Sequence, residues 1–181
     1  MSTIDYIKSD LYRYHGNLKL TSFLKSFFLN RSFIYSFWFR LSKHNNLLIR
    51  NHAKALLKLK SWKYGIQIPP NTIIGYGLYI GHGMSIVINE TTIIGNNCNL
   101  SQFSTIGSNH GKAAEIGDNV YIGPSVCIVE NVSIGHNVTI GAGSIVLKDI
   151  PDNATSVGSP SRTVNFNNPG RYITNKWQPQ T

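Results

Sequence analysis

From Ile68 onward aliphatic residues recur at every sixth position, a period that neither an α-helix nor a simple β-strand produces. They stand at Ile68, Ile74, Ile80 and Ile86, then at Ile94, Leu100 and Ile106, then at Ile116, Ile122, Ile128, Ile134, Ile140 and Val146. Glycine follows the aliphatic residue at positions 75, 81, 95, 107, 117, 123, 135 and 141, and small or β-branched residues follow it at Val120, Val126, Val132, Val138 and Ser144. A six-residue unit with one inward aliphatic suits a short strand and a tight turn. Three such units close one triangular coil of a parallel β-helix. Ile86 to Ile94 is eight residues and Ile106 to Ile116 is ten, so the chain leaves the coil at these two places. Insertions in a solenoid project as loops, and loops commonly carry function. The repeat ends at Pro151, and Val157-Gly158-Ser159-Pro160 forms a further turn.

The chain ahead of the repeat follows a different rule. Leu24, Phe27, Phe28, Ile34, Phe37, Trp38 and Leu41 fall at helical spacing, and Leu47, Leu48, Ala53, Leu56, Leu57 and Leu59 continue it after Asn45-Asn46. At least two helices are expected between Leu18 and Lys63. The organisation is therefore a helical, basic segment over 1–64, a mainly β domain over 65–163, and an irregular or mobile tail over 164–181. Residues 1–64 hold 12 Lys+Arg against Asp5 and Asp10, whereas the rest holds 5 against 6 acidic residues. A basic arm beside a neutral body suits an anionic lipid surface, nucleic acid or an anionic substrate. Aromatic residues interleaved with Arg31, Arg40, Lys43, Arg50 and Lys54 favour peripheral contact with an anionic membrane, and no nucleic acid is expected.

The run from Phe33 to Phe39 is far too short to span a bilayer, and no apolar stretch with a small-residue cleavage site opens the chain. A cytoplasmic protein is expected, peripheral to the inner face of the membrane. Cys98 and Cys127 form no CxxC pair and read as packing thiols. Asn131-Val-Ser133 and Asn137-Val-Thr139 match glycosylation acceptors, but their asparagines read as turn residues.

Within residues 65–164 four pieces are specific: Ile80-Gly81-His82-Gly83-Met84-Ser85-Ile86-Val87-Ile88-Asn89-Glu90, Thr105-Ile106-Gly107, Ile140-Gly141-Ala142-Gly143-Ser144-Ile145-Val146-Leu147, and Val157-Gly158-Ser159-Pro160-Ser161-Arg162. Here the chain resembles the hexapeptide-repeat acyltransferases, in particular the serine acetyltransferase branch and the O-acetyltransferases of bacterial exopolysaccharide synthesis, of the colanic acid type. The resemblance implies a left-handed parallel β-helix, a homotrimer with active sites between subunits, and acetyl-CoA as co-substrate without a metal.

His82 matches the histidine that takes the proton of the acceptor hydroxyl. Read without the family, it is an imidazole in a turn after Ile80-Gly81, where it points outward and stays available. Glu90 matches an acidic position after the catalytic stretch and could orient an imidazole across the site. His110, in the longer excursion, could approach an acceptor. For the donor, Gly141, Ala142 and Arg162 match positions along the pantetheine arm and its phosphates, Ser108 and Gly123 are further candidates for the same groove, and Lys148 could add a phosphate contact. Pro124 stands where a residue with a free N–H is usual, which removes one backbone donor. Two departures bear on the acceptor. The serine branch places an aspartate directly before the histidine, where Gly81 stands here. It also carries a second histidine before the repeat resumes, where Ala113 and Ala114 stand here.

The expected activity is acetyl transfer from acetyl-CoA to a hydroxyl of a surface polysaccharide or its lipid-linked precursor. Alternatives are a small-molecule acceptor (serine, a free sugar or an antibiotic) or a non-catalytic β-helix binding module. A zinc hydratase of this fold needs a close histidine pair, which His82, His110 and His136 do not form.

Overall fold

The computed structural model describes residues 1–179. Four helices precede the repeat: α1 (Thr3–His15), α2 (Leu20–Leu29), α3 (Arg31–Leu41) and α4 (Leu47–Tyr64). Ser2 and Asp5 close a capping box on α1. Asn30 caps α3, and Asn46 caps α4 by accepting from the amides of Leu48 and Ile49. The Asn45-Asn46 break is therefore a helix start. The α1 helix lies ahead of the helical spacing read from Leu18 onward: it exposes Ile4 as well as Lys8, and its buried positions include Ser9, Asp10 and Arg13.

The repeat folds into a left-handed parallel β-helix of about five turns. Its first face stacks β1 (Ile66–Gln67), β4 (Ile86–Ile88), β7 (Thr105–Gly107), β10 (Cys127–Val129) and β13 (Ile145–Val146). The second stacks β2 (Ile73–Ile74), β5 (Ile93–Ile94), β8 (Glu115–Ile116) and β11 (Ser133–Ile134). The third stacks β3 (Tyr79–Ile80), β6 (Asn99–Leu100), β9 (Tyr121–Ile122), β12 (Thr139–Ile140) and β14 (Thr155–Val157), and β15 (Arg162–Asn165) closes it antiparallel to β14. Strands of two or three residues suffice because each amide pairs with the coil above or below rather than along the chain. The sixth-position aliphatics line the interior, with Ile80, Ile94, Leu100, Ile106, Ile122 and Ile140 at or below 1% exposure.

The helical segment is fastened to the third face. Arg13 donates to Gly77 O and to Asn99 Oδ1, and Arg40 holds Asp10 through two bonds at 2.9 and 3.0 Å. Asp10 accepts in turn from Leu78 N. Burial pushes the Asp10 carboxyl up, and the Arg40 guanidinium opposes it.

Two details differ from the sequence-based expectations. The segment expected to be an irregular or mobile tail contains the last residues of β15 and then returns across the third face, where Ile173 is buried. Arg13 reaches Thr174 O there, Asn99 reaches Tyr172 O, and Asn97 pairs with the backbone of Trp177. The aromatic residues Phe33, Tyr35 and Phe39, read with Arg40 as an interfacial pattern, are core, and Arg40 is buried in its ion pair. A peripheral membrane contact therefore loses these residues as support. No helix among the described residues is long and apolar enough to cross a membrane.

Candidate active site

Because every coil repeats the same triangle, residues far apart in sequence line up in columns along its three edges. The edge between the third and first faces carries Gly81-His82-Gly83, and above it Gly123-Pro124 and Gly141-Ala142-Gly143. The ladder fixes this register: Gly81 N bonds to Leu100 O, Ser101 N to Ile122 O, Gly123 N to Ile140 O and Gly141 N to Ser156 O. Arg162, exposed on β15, stands at the far end of the same edge. A side chain at Gly123 would come within 2.8 Å of Ile140 O, so the edge stays narrow there.

His82 is exposed and sits in the left-handed region at φ 51°. In the coils above, the left-handed residue is Phe103, Ser125 or Gly143, one place later in the turn. The first corner is bent differently because α3 presses on it. Gly83 N donates to the buried Ser32 Oγ at 2.8 Å, and a Cβ on Gly83 would stand 2.7 Å from that oxygen. Tyr14 holds the preceding strand by accepting from Ile80 N and donating to Ile80 O, both at 3.1 Å. Burial raises the Tyr14 phenol far above its ordinary range, so it stays protonated. His82 opens into a cleft of about 440 Å³ whose other walls are Tyr14, His15, Lys25, Asn30, Arg31 and their neighbours on α1, α2 and α3. Sequence reasoning missed this wall, because nothing local in the helices marks residues 14–32 as neighbours of position 82.

The remaining candidates lie on the opposite edge of the first face. Glu90 follows β4, is exposed, and accepts from Asn71 Nδ2 at 2.7 Å. Ser108 and His110 follow β7, and Lys148 follows β13. Ser108 Oγ donates to Glu130 Oε2 at 2.7 Å, which holds the Glu130 carboxyl below its usual range, and His110 N donates back to Ser108 Oγ. The His110 ring is exposed. Ala113 and Ala114 are buried, so the end of this loop presents no side chain outward. His136 is a structural residue whose Nδ1 accepts from Asp118 N. One chain thus brings His82 together with Gly123, Gly141, Ala142 and Arg162. It keeps Glu90, Ser108, His110 and Lys148 a face away.

Among the described residues no group of three or more His, Cys, Asp or Glu could hold a metal ion. Comparison with known proteins gives one consistent answer. Residues 113–148 match the family model "Bacterial transferase hexapeptide (six repeats)". The chain is 39% identical over 104 residues to serine acetyltransferase of Synechococcus elongatus, covering 55% of this chain and 43% of that protein. It superposes on the crystal structure of Neisseria gonorrhoeae serine acetyltransferase in complex with serine with a TM-score of 0.73 and 30% identity, covering 88% of this chain and 68% of the other. A serine acetyltransferase structure in complex with CoA gives a TM-score of 0.74 at 26% identity, covering 90% and 69%. The chain spans less than half the length of the Synechococcus relative. With the repeat, the coil register and these relatives in agreement, the chain belongs to the hexapeptide-repeat transferases.

Proposed function

We propose that the chain is an acetyl-CoA-dependent O-acetyltransferase in which His82 is the general base. The observation that carries this reading is the column on one edge: an exposed imidazole at its foot, a narrow glycine-lined strip above it, and Arg162 at its far end. A pantetheine arm laid along Gly123, Gly141 and Ala142 would bring its thioester to His82 and its phosphates toward Arg162. The imidazole accepts the proton of the acceptor hydroxyl as that oxygen attacks the thioester carbonyl. The tetrahedral intermediate then collapses, expelling the CoA sulfur, which recovers the proton from the imidazolium. No covalent enzyme intermediate is needed. Cys98 is buried, and Cys127 lies on the first face rather than on this edge.

Two copies complete the site in this reading. The third face is covered by α1 and the C-terminal segment, but the first face exposes Val87, Thr105, Cys127 and Ile145 in register. Val146, the last aliphatic of the six-residue series, points into the core, and Ile145 takes the outward place. Packing this stripe in a closed ring of three copies buries it and sets one edge of a subunit against the opposite edge of the next. Glu90, Ser108, His110 and Lys148 then stand across from a neighbour's His82.

For the acceptor, the relatives favour the small-molecule alternative, serine, over a polysaccharide. One feature of the site favours a glycan instead: Gly81 puts no acidic group beside His82, where the serine branch is expected to have one. The test is a pair of assays with acetyl-CoA, serine and a panel of sugars, on the protein and on His82→Ala. The variant should lose about two to four orders of magnitude in turnover with its oligomer and CoA affinity intact. Near-normal turnover would reject His82 as the base.

A further inference from the structure

The cleft beside His82 carries a charge that the transfer step does not require. Its walls hold Lys25 and Arg31 together with His15 and His82, and no Asp or Glu lines it. Neither cation is neutralised from elsewhere, since Arg40–Asp10 is the one ion pair among the described residues. His15 Nε2 lies 2.7 Å from the buried Ser26 Oγ, which fixes the ring in the wall. A concave wall with two unpaired cations concentrates anions, and it offers no carboxylate to the ammonium group of an amino acid. The donor is not the anion in question. Its column rises from His82 through Gly123 and Gly141 toward Arg162, away from the helices.

Resting on the reading of His82 as the base, we propose that the acceptor carries a phosphoryl group, bound by Lys25 and Arg31 while its hydroxyl lies at His82. A guanidinium fork and an ammonium point charge together match a group of more than one negative charge better than a single carboxylate. The phosphoryl group could belong to a sugar phosphate, to a nucleotide-linked sugar or to a lipid diphosphate-linked sugar. These share the same chemistry at the cleft.

The test is a titration of the protein with inorganic pyrophosphate, followed by NMR through the His15 ring signals. A saturable shift is expected. Lys25→Ala/Arg31→Ala should weaken it by at least about tenfold, the scale of losing a charge-assisted bond. Lys25→Arg/Arg31→Lys should restore most of it, and Lys60→Ala/Lys63→Ala on α4 should leave it unchanged. Displacement by a sugar 1-phosphate, a nucleotide diphosphate sugar or farnesyl diphosphate identifies the source by which acts at the lowest concentration. Serine or glucuronate displacing pyrophosphate as well as these would overturn the proposal, as would no shift or an unchanged shift in the Lys25→Ala/Arg31→Ala variant. His82→Ala should keep pyrophosphate binding. Loss of acetyl transfer in that variant therefore tests the base separately.

Discussion

The amide of Gly83 donates to the Ser32 hydroxyl across 2.8 Å, joining the first residue after His82 to the first turn of α3. This one bond lets the helical segment set the angle of the corner that carries the candidate base. Gly83→Ala would drive a methyl group into Ser32 Oγ and Cα, at 2.7 and 3.0 Å, and displace His82. Turnover should fall about tenfold to a hundredfold, since misplacing a reacting group by an ångström costs that much. Adding Ser32→Gly should return part of the loss. An unchanged rate in Gly83→Ala, with circular dichroism as for the parent, would detach the helices from the site.

Gly81 is not dictated by packing. A Cβ there meets Tyr79 Cε1 at 3.6 Å and Leu100 O at 3.8 Å, which is ordinary contact. Gly81→Asp should therefore fold with a stability change within about 1 kcal/mol, as for an exposed substitution. If the missing carboxylate is what keeps serine out, kcat/KM for serine should rise while that for the native acceptor falls. A parent protein that already prefers serine, and loses it in Gly81→Asp, would reverse this argument.

Asp10→Asn leaves Arg40 buried at 3% exposure without its counter-charge. Removing one partner of such a pair costs about 3–5 kcal/mol, because the remaining ion is neither solvated nor paired. Thermal unfolding should show a fall in Tm of many degrees. A shift under a degree or two would mean that the pair contributes nothing net.

The two thiols report on different layers of the molecule. Cys98 is fully buried and its pKa is pushed up to about 12, so it should resist thiol reagents at pH 8 until the protein unfolds. Cys127 is half-buried and stands between Thr105 and Ile145 on the first face. If three copies pack on this face as proposed, it should be protected, and it should label when dilution or mild denaturant separates the subunits. Rapid labelling of Cys127 in a protein that sediments as a trimer would place the interface on another face.

The β-helix was legible from sequence because its signal is local and repeated. Each coil needs one inward aliphatic at a fixed step, so Ile68 to Val146 announce the fold. His82, Gly123, Gly141 and Ala142 were named because their flanks resemble those of the hexapeptide-repeat acyltransferases, and the six-residue units put them on one edge once the excursions after Ile86 and Ile106 are set aside. What the sequence alone determined is thus the periodic part of the protein, where position in the chain maps directly to position in space. Only the tertiary structure decided the rest. Lys25 and Arg31 reach the cleft because α2 and α3 dock beside the first corner, and that docking is set by contacts such as Arg13–Asn99, Arg40–Asp10 and Ser32–Gly83. Those pairs are separated by 86, 30 and 51 residues and follow no period, so no local pattern encodes them. The docking of the C-terminal segment was not legible for the same reason. The segment is irregular beyond Asn165, as its polar composition suggests, but its backbone carbonyls at Tyr172, Thr174 and Trp177 accept from Asn99, Arg13 and Asn97, which only folding brings within reach.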